Sequence, residues 1–369
     1  MNNSLESATR RLTGLAQGER SLVRLVGLAL AVVLLFSLLS PNVFFSVINF
    51  QTIAFAVPEI GLLSLAIMVA LLTGGIDLSV VSIANLTALT TAALYAAFDA
   101  TDATGGQAVL LTLLFVAAGL LVAVLAGLFN GFLVSVVGVT PILATLGTMQ
   151  LYNGIAIVAT GGEALYGMPD AFLTLGINTV AGVPVSFVAF VVIGLALGVL
   201  LNRSPLGTKL RLVGANPTAA RFSGIDNRRV LLLTYMVTGL LAGVAGVVIA
   251  ARSASASADY GASYLLLAIV VAVLGGTNPF GGHGTVLGVV LATVTLQMLS
   301  SGFNIMRLSA FEYTIAQGVI LVAVMVLDSR HGRRRGGRAP APPPGGTGPT
   351  PPDPQAAPLP STATPGPVR

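Results

Sequence analysis

Cysteine is absent from the 369 residues, lysine occurs once (Lys209) and histidine twice (His283 and His331). Without cysteine there is neither a disulfide nor a thiolate metal site. Two histidines with no ligand spacing between them make no metal site either. The lone lysine excludes nucleotide hydrolysis on this chain, because a phosphate-cradling loop of the form G-x-x-x-x-G-K-[ST] needs a lysine after glycine. Lys209 follows Thr208 and precedes Leu210. No H-E-x-x-H pair and no nucleophile–base constellation is present, so the sequence reads as a non-enzyme with no cofactor of its own.

Charge is the scarcest property. Asp, Glu, Lys and Arg together make 8% of the chain, against about 25% in a soluble domain. Hydrophobic residues make 55% and the mean hydropathy is +0.92. A globular surface cannot be covered with so few charges, so lipid is the expected solvent.

Apolar segments that meet or approach the length of a spanning helix, about 20 residues, lie near 22–40, 51–73, 79–98, 107–134, 141–160, 182–202, 230–250, 263–275, 284–301 and 311–328. The expected fold is an all-α integral membrane protein with about ten spans in a compact bundle. The first apolar run follows a basic start, as in a signal peptide, but no small-residue cleavage site follows it, so it reads as a retained span. Glycines four apart (Gly194 with Gly198, Gly239 with Gly243, Gly284 with Gly288) allow close helix approach in lipid. Packing inside the bundle is the expected use, and a dimer seam is the competing one.

Ten spans place sixteen of the 18 Lys and Arg residues on one side, leaving Arg252 and Arg307 opposite. Cytoplasmic loops carry the excess of basic residues. Both termini are therefore expected in the cytoplasm, along with the loop 203–229. This pattern also accounts for the net charge of +5 without a nucleic-acid partner. The expected organisation is a cytoplasmic segment 1–21, a membrane domain 22–328 and a tail 329–369. That tail is rich in Pro and Gly, with too little to bury to become ordered.

One polar island interrupts the apolar runs: RLVGANPTAARFSGIDNRR, residues 211–229. Asn216 is a good N-cap, Pro217 suits the first helical position, and Gly224 suits a left-handed stop. The sequence thus specifies a helix of under two turns. Isolated helices this short are marginal in water, so an explicit start and stop suggest a helix stabilised by docking. Phe222 and the pair Ala219–Ala220 offer an apolar face, and Arg221 can meet a carboxylate.

The island resembles the coupling segment of permease subunits in the ribose-type family of ATP-binding-cassette sugar importers. Three further stretches match in the same order: GGIDLSVVSIANLTA (74–88), NGFLVSVVGVTPILATLGTM (130–149) and VLGGTNPFGGHGTVLG (273–288). Val81, Tyr264 and Leu266 depart from the family pattern. The resemblance implies a multi-pass bacterial cell-membrane permease and a second permease copy, identical or different. It also implies cytoplasmic ATPase subunits that bind the ATP and Mg, and an extracytoplasmic binding protein that delivers a sugar-like solute. It assigns ATPase coupling to Gly214, Asn216, Pro217, Ala219, Ala220, Arg221, Phe222 and Gly224.

Polar residues within or beside the spans are candidates for a translocation path: Asp77, Asn85, Asn130, Gln150, Asn153 and Asn304. Each has a competing structural use, since Asp77 or Ser79 can cap the helix after the Gly74-Gly75 turn and amides hydrogen-bond between helices. Glu59, next to Pro58, reads as a cap or packing residue at a helix break. An ion-coupled secondary transporter is the alternative function, because such proteins place ionisable groups at mid-membrane.

Overall fold

The computed structural model describes residues 22–309, 311–319 and 322. The expectations for 1–21 and for the tail 329–369 fall outside the described residues. The chain is a helical bundle. In order it runs α1 (Leu22–Leu39), a short α2 (Pro41–Phe44), α3 (Val47–Leu72), α4 (Val80–Ala97) and α5 (Gly105–Phe132), which continues as a π turn, Leu133–Val137. There follow α6 (Pro141–Thr160), α7 (Asp170–Ile177), α8 (Val185–Arg203), α9 (Pro205–Ala215), α10 (Pro217–Phe222), α11 (Asn227–Ser253), α12 (Tyr264–Leu274) and α13 (Val286–Ile305). Residues 311–319 form a further helix, α14. Two minimal antiparallel pairings complete the fold: β1 (Leu165–Tyr166) with β4 (Ser255–Ala256), and β2 (Thr179–Val180) with β3 (Val183–Pro184).

Eight of these helices, α1, α3, α4, α5, α6, α8, α11 and α13, are long and apolar enough to cross a membrane. The eighth expected span is α12, with only 11 residues. The tenth, 311–328, is described only through α14 and Val322.

α3 and α11 form the centre. Every residue of α3 from Val57 to Leu72 is buried, as an all-round apolar helix requires. α11 lies against α3, α4 and α5. Pro58 does not break α3. Membrane helices tolerate proline inside a packed bundle; in the turn before Pro58, Arg252 Nη1 donates to the Phe55 carbonyl at 3.4 Å. The α5–α11 crossing is backbone to backbone, because Gly127 abuts the Tyr235 carbonyl and Gly239 abuts the Ala123 carbonyl. Gly288 lies in the same way against the Gly275 carbonyl. The pairs Gly239–Gly243 and Gly284–Gly288 thus serve packing within the chain. Gly194–Gly198 does not: Gly194 makes only ordinary contact with Val286 and Val290, and Gly198 faces open space.

The short α12 has a physical cause. Residues 254–263 are too polar to continue a helix, yet they fold into the bundle instead of leaving it. Ala256 and Ala258 join a buried cluster with Tyr95, Phe115 and Phe172. β4 pairs with β1, and Asn85 Nδ2 donates to the carbonyls of Ala258 at 2.6 Å and Tyr260 at 2.8 Å. Non-helical backbone of this kind is viable in a membrane protein only when protein or a cavity satisfies it.

Candidate functional site

Asn216 closes one helix and opens the next. Its N–H donates to the Leu212 carbonyl at the end of α9 (3.0 Å), and its Oδ1 accepts from the Ala219 N–H (2.9 Å), capping α10. Pro217 takes the first helical position. At the other end Gly224 adopts φ +80°, the left-handed conformation that Cβ-bearing residues avoid. Two bonds close the helix there, Gly224 N–H to the Arg221 carbonyl (3.0 Å) and Ile225 N–H to the Ala220 carbonyl (3.1 Å). This is the paired closure that satisfies the last carbonyls of a helix. Asn227 Nδ2 then donates to the Pro217 carbonyl (2.8 Å), tying the start of α11 to that of α10. Asp226 caps α11 through the N–H groups of Arg228 and Arg229. The six-residue helix is held at both ends and at its base.

Its surface differs from the sequence expectation in two residues. Ala220 is turned inward and is only 4% exposed, so the outward face consists of Pro217, Thr218, Ala219, Arg221 and Phe222. Gly214, grouped with the coupling residues, also faces inward. A Cβ there would overlap the Leu72 carbonyl and crowd the Gly282 N–H, so its role is to let α9 lie on the end of α3. Phe222 projects at 90% exposure. Clefts of about 580 and 450 Å³ flank α10, the first lined by Pro217, Thr218, Arg221, Phe222 and Asn227 and the second by Arg221 with Ile225–Arg228.

The 275–285 turn packs beside the same end of the bundle. Gly282 N–H donates to the Leu72 carbonyl (2.9 Å), and Asn278 bridges the turn to His283 and Gly281. Burial, and then the positive charge of Arg211, hold the His283 imidazole below its ordinary value.

The path candidates do not form one group. Asp77 and Asn130 come together deep in the bundle. Asp77 accepts from the Ser79 N–H (3.0 Å), Ser79 Oγ (2.6 Å) and Thr238 Oγ1 (3.1 Å), while Asn130 donates to Ser79 Oγ (2.7 Å) and accepts from Tyr152. Ser79 holds the N-cap position of α4 with no side-chain cap bond of its own. Asn85 is engaged with the 254–263 segment. Gln150 and Asn304 lie on the exposed outer surface, and Asn153 is half-buried with its Oδ1 unpartnered.

An ion pair that sequence reasoning missed lies elsewhere: Arg252 Nη1 meets Glu59 Oε1 at 3.0 Å, with Tyr264 OH 3.4 Å from Glu59 Oε2. In sequence Arg252 is one of two cations on the far side of a ten-span arrangement, and the pairing has no local signal because Glu59 lies in a distant span.

Among the described residues the bundle carries eight helices long and apolar enough to cross a membrane, and a short exposed helix capped at both ends, an arrangement suited to a membrane transport subunit. Residues 49–327 match the family described as "Branched-chain amino acid transport system / permease component", and the chain belongs to that family. Among curated proteins it is similar to three permeases. It is 33% identical to the autoinducer 2 import system permease protein of Yersinia enterocolitica, over 72% of this chain and 79% of the relative. It is 31% identical to the D-allose transport system permease protein of Escherichia coli, over 80% and 88%. It is likewise 31% identical to the ribose import permease protein of Bacillus subtilis, over 81% and 89%. No solved structure matches. The protein is a multi-pass permease subunit of an ATP-binding-cassette importer in the bacterial cell membrane, not an ion-coupled carrier, and hydrolysis of ATP falls to separate subunits.

Proposed function

We propose that this chain forms, with a second permease copy of the same or a different kind, the translocation path for a sugar or sugar-like solute handed over by an extracytoplasmic binding protein. ATPase subunits, carrying the ATP and Mg, dock on α10 from the cytoplasm, where both termini and the loop 203–229 lie. The observation that carries this reading is Phe222, fully offered to solvent on a six-residue helix locked at both ends. Burying such a side chain is worth about 1.5–3 kcal/mol, and the fixed backbone lets a push on α10 reach α11 through the Asn227–Pro217 bond. The choice of solute class rests on the ribose, allose and autoinducer 2 relatives, which align over most of their own lengths. Uptake of labelled D-ribose and D-allose tests it in cells carrying the chain with its neighbouring transport genes. Uptake should fall when ATP is depleted by arsenate and persist when an ionophore collapses ion gradients. Uptake that follows the ion gradient instead would contradict it.

A further inference from the structure

Glu59 is the only charged residue of α3, buried at 6% exposure, and it borders a cleft of about 350 Å³ lined by Ile249, Arg252, Ser253, Tyr260, Gly261 and Tyr264. That volume falls at the small end of ligand sites. The chain leaves helical geometry between α11 and α12, and the end of α11, the segment after it and the start of α12 line the cleft together. Non-helical backbone that lines a cavity, beside a buried ionisable group, is a setting in which membrane proteins build solute sites.

The chemistry of the lining selects a ligand class. Glu59 and Arg252 are already paired at 3.0 Å, so the cleft presents no net charge and attracts neither an anion nor a cation strongly. A guanidinium has five N–H donors in a planar fork, and here one nitrogen is committed to Glu59 and the Phe55 carbonyl. Ser253 adds a hydroxyl oxygen that can accept while its proton goes to the Ile249 carbonyl, and Tyr260 and Tyr264, whose OH groups meet Ser255 and Glu59, add ring faces. Donors, acceptors and flat apolar faces around a neutral pocket fit a neutral polyhydroxylated ring, whose hydroxyls and C–H faces alternate.

We propose that this cleft is a monosaccharide subsite, entered by the solute before it moves on through the permease pair. The assignment rests on the importer reading and extends it to particular residues. Asn85 holds the loop that forms one wall, which makes it a positioning residue here and not a solute ligand.

The chain contains no tryptophan, so Tyr264→Trp introduces a single fluorophore that keeps a ring face in the cleft. Titration of that purified full-length variant with D-ribose, D-allose and a panel of other pentoses and hexoses should give a saturable emission change for at least one sugar. Ser253→Leu, at the exposed end of α11, puts bulk into the cleft and keeps both members of the ion pair. It should abolish that change and, in the otherwise unaltered chain, lower uptake at least tenfold at equal membrane abundance. Glu59→Gln should raise the KM for uptake at unchanged membrane abundance; a purely structural ion pair would lower abundance instead. No saturable change with any sugar, or a change that survives Ser253→Leu, overturns the assignment. Arsenate-sensitive uptake that Ser253→Leu leaves intact removes the subsite alone, whereas uptake indifferent to arsenate removes the importer reading, and the titration still judges the cleft.

Discussion

The N–H of Ile225 reaches the carbonyl of Ala220 at 3.1 Å across the left-handed Gly224, so α10 ends in a locked closure and not in a frayed turn. A β-branched residue cannot take φ +80° cheaply, and left-handed backbone costs about 1–2 kcal/mol for a residue with a Cβ. Gly224→Val should therefore reopen the closure and displace Phe222. The site lies outside the spanning helices, so insertion should survive. Uptake should fall at least tenfold at normal membrane abundance, and the milder Gly224→Asn, which tolerates this conformation, should retain most of it.

The opposite end of α10 gives a graded test. Asn216→Ala removes the acceptor for the Ala219 N–H and should cost about 1 kcal/mol of local helix stability. Asn216→Asp keeps the acceptor. Hydrogen exchange at residues 217–222 should speed up about fivefold in the first variant and stay near the parent rate in the second.

Gly214→Ala should behave differently from both. Its Cβ would overlap the Leu72 carbonyl, so the loss appears in folding. Membrane abundance and thermal stability should drop together, and the protein that remains should still engage its ATPase.

Much of this was legible from composition alone. Runs as long as those of α3, α5 and α11 have no alternative to a spanning helix, and the Asn216–Pro217 start and Gly224 stop spelled out α10 because capping is local chemistry. What was not legible depends on distant partners. The inward turn of Ala220 and Gly214 is set by the packing of α9 on the end of α3. The pairing of Glu59 with Arg252 joins helices far apart in sequence. The folding of 254–263 into the bundle needs Asn85 and β1 to satisfy its backbone, and nothing in that polar stretch announces either. α9 itself was hidden in a loop whose arginines read as topology markers.

Asp77 accepts three hydrogen bonds and has no cation among its described partners. Asp77→Asn keeps an acceptor for the Ser79 N–H and should be well tolerated. Asp77→Leu leaves the buried Ser79 N–H and hydroxyl without their acceptor, at about 1–3 kcal/mol for each group left unsatisfied, while Thr238 keeps the Tyr235 carbonyl. A large fall in abundance for leucine alone marks a structural network. A severe loss of uptake for asparagine, at normal abundance, would show that the charge itself is used.

His283 sets a pH dependence. Its value is depressed in the folded protein below the ordinary 6.5, so the unfolded chain binds the proton more readily. The stabilisation is fully present above about pH 6.5 and is lost as pH falls toward the lower folded value. Melting temperatures of the purified protein between pH 7.5 and 5.0 should decline, and His283→Asn should flatten that part of the decline.

Phe222 is the side chain through which α10 should meet the ATPase. Phe222→Ala truncates the large exposed apolar side chain of α10 while leaving every bond that shapes the helix. Measured with the binding protein and ATPase subunits in reconstituted vesicles, the parent complex should show solute-stimulated ATP hydrolysis and uptake. The variant should insert normally and lose at least tenfold of both. Parent-level stimulated hydrolysis and uptake in Phe222→Ala would contradict the claim that α10 receives the force of ATP hydrolysis.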